Sequence, residues 1–260
     1  MLLHGLLSSP KEFGLVHHPL RRAGVKMIAP ELQGYTLGTG EPGRQWQDWL
    51  LAASAALDEL PGHEPVVLGG LCTGAMLATA LALARPQRVR GLVLLSPLLA
   101  YDGWGLPWWY RLRRIAYVLH IESLFAMRER EPFGLKNEKM RLWVRQQLQT
   151  QGDSVAGPAR IPLWAVRQSE LLSAHVSARL KDLAVPVRTV HAREDEICSL
   201  ASVERVLRAI DPARHQMSVL DNSYHMITAD NDRNLLVHQL QAFVHGLGGA
   251  ESAASARVRA

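Results

Sequence analysis

Gly69-Gly70-Leu71-Cys72-Thr73-Gly74-Ala75 decides how the rest of the chain reads. It follows the apolar run Val66-Val67-Leu68 and opens an alanine- and leucine-rich pattern that continues to Ala84. A nucleophile on such a strand-to-helix turn is pushed out of the sheet edge, and small residues two positions to either side let strand and helix close around it. The pattern here is G-x-C-x-G, with Cys72 in the nucleophile position. The helix N-terminus behind it favours a thiolate and offsets developing negative charge. A membrane span competes for the same stretch, because residues 65–84 are 20 residues without a charge. Pro65, the Gly69-Gly70 pair, Gly74 and the polar Cys72-Thr73 pair favour strand, tight turn and helix instead. Glycines flank buried cysteines by chance as well, so the turn needs partners before it means chemistry.

Outward from that turn, short apolar runs alternate with longer helical patterns. The runs lie at 25–28, 66–68, 89–95, 187–190 and 216–220; the helical patterns lie at 9–23, 45–60, 74–84, 200–210 and 232–244. Runs this short and this apolar are what parallel strands covered on both faces look like. The alternation predicts a doubly wound, mostly parallel α/β sheet. Residues 101–182 break it with helix after helix, so they read as a helical cap inserted between two parts of the core, 1–100 and 183–246. The small-residue-rich stretch 247–260 reads as a flexible, frayed tail.

The partners of Cys72 follow in order. His4-Gly5-Leu6 closes the first apolar run, where the loop supplies one backbone N–H of an oxyanion hole and the residue after the nucleophile supplies the other. This assigns the N–H groups of Leu6 and Thr73. His191-Ala192-Arg193-Glu194-Asp195 leaves the strand that begins at Val187, and Asp221-Asn222-Ser223-Tyr224-His225 leaves the next. Both loops fall on the same sheet edge as Cys72, giving nucleophile, acid and histidine in chain order. His225 would take the thiol proton and Asp195 would orient the imidazole. Glu194 and Glu196 flank Asp195 and are the alternative acids.

With L-L-H-G-L, G-L-C-T-G-A, H-A-R-E-D-E-I and N-S-Y-H-M-I-T-A-D in this order, the chain resembles the α/β-hydrolase-fold superfamily, in its carboxylesterase and monoacylglycerol-lipase branch. The likeness covers residues 1–100 and 183–246, and 101–182 then correspond to that fold's variable cap. It implies an acyl hydrolase with a catalytic triad, no cofactor and no metal, and a small-molecule or carrier-bound acyl substrate. It also supports Asp195 over its two glutamate neighbours.

The chain departs from that pattern twice. Cysteine replaces serine in the elbow, which within the superfamily resembles dienelactone hydrolases and polyhydroxyalkanoate synthases, the latter acyltransferases. An acyl-cysteine is a thioester, close in energy to acyl-CoA, so an acyltransferase is an alternative to an esterase or thioesterase. A catalytically silent acyl-binding protein is a third reading, disfavoured by the intact Asp195 and His225. The second departure is the start. The strand before His4 belongs in the middle of the sheet, yet only Met1-Leu2-Leu3 remain to build it against a usual ~5–6 residues. The expectation is a natural start upstream of Met1.

Of 29 basic and 24 acidic residues, 12 and 7 fall within 101–180, leaving 17 of each sign elsewhere. The whole net charge of +5 therefore sits in the cap, together with five of the seven tryptophans. A solvated helical surface accounts for this; so does a substrate-facing lid built from Trp104, Trp108, Trp109, Arg111, Arg113 and Arg114, meeting an acyl carrier protein or an anionic lipid surface. No groove-reading or stacking motif supports nucleic acid as a partner. His17-His18 lack a carboxylate or cysteine at ligand spacing and read as surface residues. Two cysteines cannot staple 260 residues, and with no basic n-region at the start the expected compartment is the cytoplasm. Cys198 reads as a packing residue, with a Cys72–Cys198 bridge as its alternative.

Overall fold

The structure, a computed structural model, describes residues 1–61, 65–151, 153–154 and 157–258. Five parallel strands form the central sheet: β1 (Leu2–Leu3), β2 (Val66–Leu71) and β3 (Val89–Leu95), then two from after the insertion. Within the insertion lie β4 (Ala126–Arg128), β5 (Asp153–Ser154), β6 (Gly157–Pro158) and β7 (Arg160–Pro162). The core resumes with β8 (Val187–Ala192) and β9 (His215–Leu220), and the sheet order is β1-β2-β3-β8-β9.

The helices are α1 (Gly14–Arg22), α2 (Trp46–Asp58), α3 (Thr73–Ala84), α4 (Arg113–Val118), α5 (Glu138–Gln151), α6 (Leu163–Ser177), α7 (Leu200–Leu207) and α8 (Arg233–Val258). Strand alternation builds the layers. On β3, Leu92 and Leu94 join one core with residues of α2, α3, α6 and α7, while Val93 and Leu95 join a second core with residues of α1 and α8. α3 is apolar all round because it is covered all round, with every residue from Thr73 to Ala82 buried. The 20 uncharged residues at 65–84 are thus strand, turn and buried helix, and no described helix is long and apolar enough to cross a membrane.

Three expectations are corrected. Residues 25–28 form no strand; among the described residues, the bond from Leu2 N–H to the Ile28 carbonyl (2.8 Å) joins them to the sheet. β1 lies at the sheet edge and not in its middle, paired through Leu2–Gly69 and Leu3–Gly70. The insertion is not helices alone: β4 pairs with β7 and β5 with β6 in antiparallel ladders separate from the main sheet. At the C-terminal end the backbone is helical through Val258, where alanine-rich sequence favours helix; 259–260 lie outside the described residues.

Candidate active site

Four loops meet at the C-terminal ends of β1, β2, β8 and β9, bringing His4-Gly5-Leu6, Cys72, Asp195 and His225 to one edge. Cys72 sits at φ 58°, ψ −124°, a conformation that costs a non-glycine residue about 1–3 kcal/mol and persists only where neighbours over-determine it. Its N–H donates to the Leu95 carbonyl (3.0 Å), and its carbonyl accepts from Ala75 N–H (3.1 Å). The flanking glycines are steric necessities. A Cβ on Gly70 would lie 2.3 Å from the Gly74 carbonyl, and one on Gly74 would lie 2.2 Å from the carbonyl oxygens of Leu3 and His4.

Asp195 is buried with both oxygens occupied. Its Oδ1 accepts the N–H groups of Ile197 and Cys198 (both 2.9 Å), and its Oδ2 accepts from His225 Nδ1 (2.7 Å). Burial alone would favour the neutral form of each group. The mutual attraction, reinforced at Asp195 by hydrogen bonds and at His225 by charge on Cys72, holds the carboxyl below its ordinary range and the imidazole well above its own. The Asp195 bond takes Nδ1 and leaves Nε2 free of the carboxylate, and His225 and Cys72 line the same cavity of about 110 Å³. Of the three consecutive acids, only Asp195 meets the imidazole: Glu194 pairs with Lys136 at the surface, and Glu196 accepts the His225 backbone N–H (3.1 Å).

Leu6 lines the same cavity as Cys72 and Thr73 follows Cys72 at the start of α3; both are buried, and neither N–H takes part in the turn and loop hydrogen bonds around Cys72 among the described residues. The loop bearing Leu6 is pinned from beneath. His4 Nδ1 donates to the Gly5 carbonyl (2.9 Å), which leaves Nε2 to accept from Thr36 Oγ1 (2.6 Å). Burial lowers the His4 pKa to about 4, and its ring stacks on Tyr35 at 4.9 Å. Gly5 N–H donates to Glu12 Oε2 (2.7 Å). Cys198 is fully buried and unbridged, its thiol pushed up to about 12, first by burial and then by Asp195.

The six cap residues expected to face substrate do not line this cavity. Trp104 is exposed, with its Nε1 donating to the Glu194 carbonyl (3.0 Å) and its ring edge-on to Tyr224. Trp108, Arg111 and Arg114 are exposed, and Trp109 lies beneath Arg130. Arg113 is committed to Glu170 and stacks over Tyr110 at 4.0 Å. The insertion reaches the cavity through Met127, Arg128, Glu129, Phe133 and Ile161. Glu12 and Glu129, which sequence reading passed over, line it with Glu196. Glu12 carried a faint signal, standing among the buried positions of its segment beside Phe13 and Val16.

A parallel sheet wrapped by helices, an elbow after β2 and an acid–histidine pair on the β8 and β9 loops define an α/β-hydrolase fold. The model of the serine aminopeptidase S33 family matches residues 1–232, and the chain belongs to that family. Lipase LipV of Mycobacterium tuberculosis is 35% identical over 104 residues, an alignment spanning 40% of this chain and 38% of that lipase. Among solved structures, a monoacylglycerol lipase of Paleococcus ferrophilus superposes with TM-score 0.77 at 17% identity, covering 95% of this chain and 93% of that one. A monoglyceride lipase of Saccharomyces cerevisiae superposes at 0.75 with 15% identity, covering 95% and 85%.

Proposed function

We propose that this chain is an acyl hydrolase that cleaves a carboxylic ester or thioester through Cys72, His225 and Asp195. The observation carrying this reading is the buried 2.7 Å His225–Asp195 bond, whose imidazole lines the cavity that holds Cys72. His225 Nε2 takes the thiol proton, and Sγ attacks the carbonyl carbon. The carbonyl electron pair moves to oxygen, where the N–H groups of Leu6 and Thr73 receive it. Collapse breaks the bond to the leaving alcohol or thiol, which takes the proton from His225 and leaves an acyl-cysteine. Water then gives a proton to His225 and attacks the thioester; the Cys72 thiolate departs and recovers that proton. The sum is ester plus water to acid plus alcohol or thiol. The lipases among the similar proteins support an ester as substrate.

The cysteine itself favours a second outcome, transfer of the acyl group to an amine, alcohol or thiol, because a thioester is an activated donor. One experiment decides. The protein is incubated with an activated acyl ester and with an acyl-CoA, and intact mass and released product are followed. Hydrolysis predicts an adduct on Cys72 that water discharges, and transfer predicts one that persists until a nucleophile is added. No adduct, with Cys72→Ala binding the ligand as wild type does, would remove both and leave an acyl-binding protein.

For the donor, we propose a carrier-bound or lipid-surface acyl group approaching the exposed face that carries Arg111 and Arg114. Replacing both with Gln should slow turnover of anionic donors only, and more so at low salt. Equal loss on neutral esters would remove this reading.

A further inference from the structure

The loop that carries His225 begins where the parallel ladder stops, at the Ala192–Leu220 pair, and reaches α8 only at Arg233. Its position therefore depends on the bonds its own backbone makes, and three successive N–H groups are taken in three directions. Tyr224 N–H donates to Asp230 Oδ2 (2.8 Å), His225 N–H to Glu196 Oε2 (3.1 Å) and Met226 N–H to the Gly134 carbonyl (2.8 Å). Glu196 lies on the loop after β8, and Gly134 lies in the insertion.

Asp230 is fully buried, and its carboxylate accepts four backbone N–H groups. Besides Tyr224, Oδ2 accepts from Lys136 (2.7 Å), while Oδ1 accepts from Asn137 (2.9 Å) and Asn231 (2.9 Å). A carboxylate has about four lone-pair sites, so supply and demand match. One side chain thus joins the residue before the base to the two insertion residues that precede α5. An asparagine of the same shape could not do this. Its single oxygen accepts two of the four, and its N–H₂ faces the other two donors. On the other side of His225 the fit is steric. Gly134 has φ 73°, and a Cβ there would stand 2.5 Å from Met226 Cγ and 3.1 Å from Met226 N. A tie that served only the start of α5 would need the bonds to Lys136 and Asn137. It would not need the same Oδ2 to hold the neighbour of the base.

We propose that Asp230 is a positioning residue for the acyl chemistry: it fixes His225 relative to Asp195 and Cys72 by anchoring the histidine loop to residues 134–137 of the insertion. The insertion then helps to build the catalytic site as well as to cover it. Disturbing the anchor moves the base without altering any reacting group. This rests on the reading of His225 as the general base.

The test uses the full chain in two variants. Asp230→Asn breaks the anchor on one side of His225, and Gly134→Ala presses on it from the other without removing a charge. In both, kcat on an activated acyl ester should fall at least about tenfold with KM within about twofold, since a misplacement of about 1 Å can cost about 100-fold. Titration of the imidazoles by NMR supplies a readout that a purely structural role leaves alone. Despite burial, Asp195 holds the wild-type His225 proton affinity well above the ordinary one. In both variants that affinity should fall at least about tenfold as the two groups separate. A lower melting temperature with kcat, KM and the His225 titration unchanged would make Asp230 structural only and overturn the inference. A titration shift in Asp230→Asn alone would report the lost charge and overturn it as well. If Asp230→Asn does not fold, Gly134→Ala decides by the same readouts, an unmoved titration overturning the inference. If wild-type Cys72 takes no acyl group, the hydrolase reading falls, and the titrations still decide whether Asp230 positions His225.

Discussion

Asp195 fixes the tautomer on which the proposed chemistry depends. With Oδ1 held by two backbone N–H groups and Oδ2 facing His225 Nδ1, the proton on the ring stays at Nδ1 and Nε2 is free to accept the thiol proton. An asparagine keeps the shape but turns its N–H₂ toward Nδ1, which drives the ring proton to Nε2 and removes the base. Asp195→Asn should therefore cut the acylation rate about 10³–10⁴-fold, with a much smaller change in KM. Steady-state rates on an activated ester check this, and a loss below about tenfold would remove Asp195 from the mechanism. The placement of Cys72, Asp195 and His225 at one sheet edge was legible in sequence because each lies shortly after an apolar strand-like run. Glu129 was not, because its place depends on where the insertion folds back, and nothing at positions 126–130 alone reports that.

The unit formed by β2, the elbow and α3 shows the same contrast between local and distant causes. Gly70 and Gly74 read as turn residues in sequence, and the structure gives each a named obstacle, the Gly74 carbonyl for one and the Leu3 and His4 carbonyls for the other. Gly74→Ala should destabilise by about 3 kcal/mol or more, because the obstacle is backbone on a neighbouring strand end that has no rotamer to escape into. Gly14→Ala is the control: it opens α1, has nothing within 4 Å of a built Cβ, and should gain up to ~1 kcal/mol from helix propensity. Urea unfolding of both variants measures the difference, and similar values would mean that the elbow has room for a methyl group. The strands β2, β3, β8 and β9 were legible because burial on both faces leaves an unbroken apolar run. Residues 25–28 carry the same composition and form no strand, since composition reports burial and not ladder pairing. β4 and β7, three residues each, are too short for any alternation to show.

Across the whole molecule the charge is arranged in two shells. The insertion carries the net excess of +5, while the cavity it helps to close is lined by Glu12, Glu129 and Glu196. That arrangement has a consequence for stability. These carboxyls bind protons up to about pH 7, 8 and 7 in the folded chain against an ordinary 4.5, so the folded state holds extra protons across that window. Stability must then fall as pH rises through it. His225, raised above 6.5, acts in the same direction on its side of neutrality. His4, lowered from 6.5 to about 4, acts oppositely below 6.5, joined by the lowered His191 and His215. Above pH 6.5 the raised groups act without opposition from the lowered histidines, so the melting temperature should peak near pH ~6 and decline toward pH ~9. Glu129→Gln isolates one contributor. The variant should melt at least ~3 °C above wild type at high pH, with the gap closing toward pH ~5 as the wild-type carboxyl is protonated. Thermal unfolding of both proteins across that range provides the check. A gap that widens on acidification would mean that Glu129 is ionised and stabilised in the folded chain, the reverse of what desolvation and the neighbouring Glu196 require.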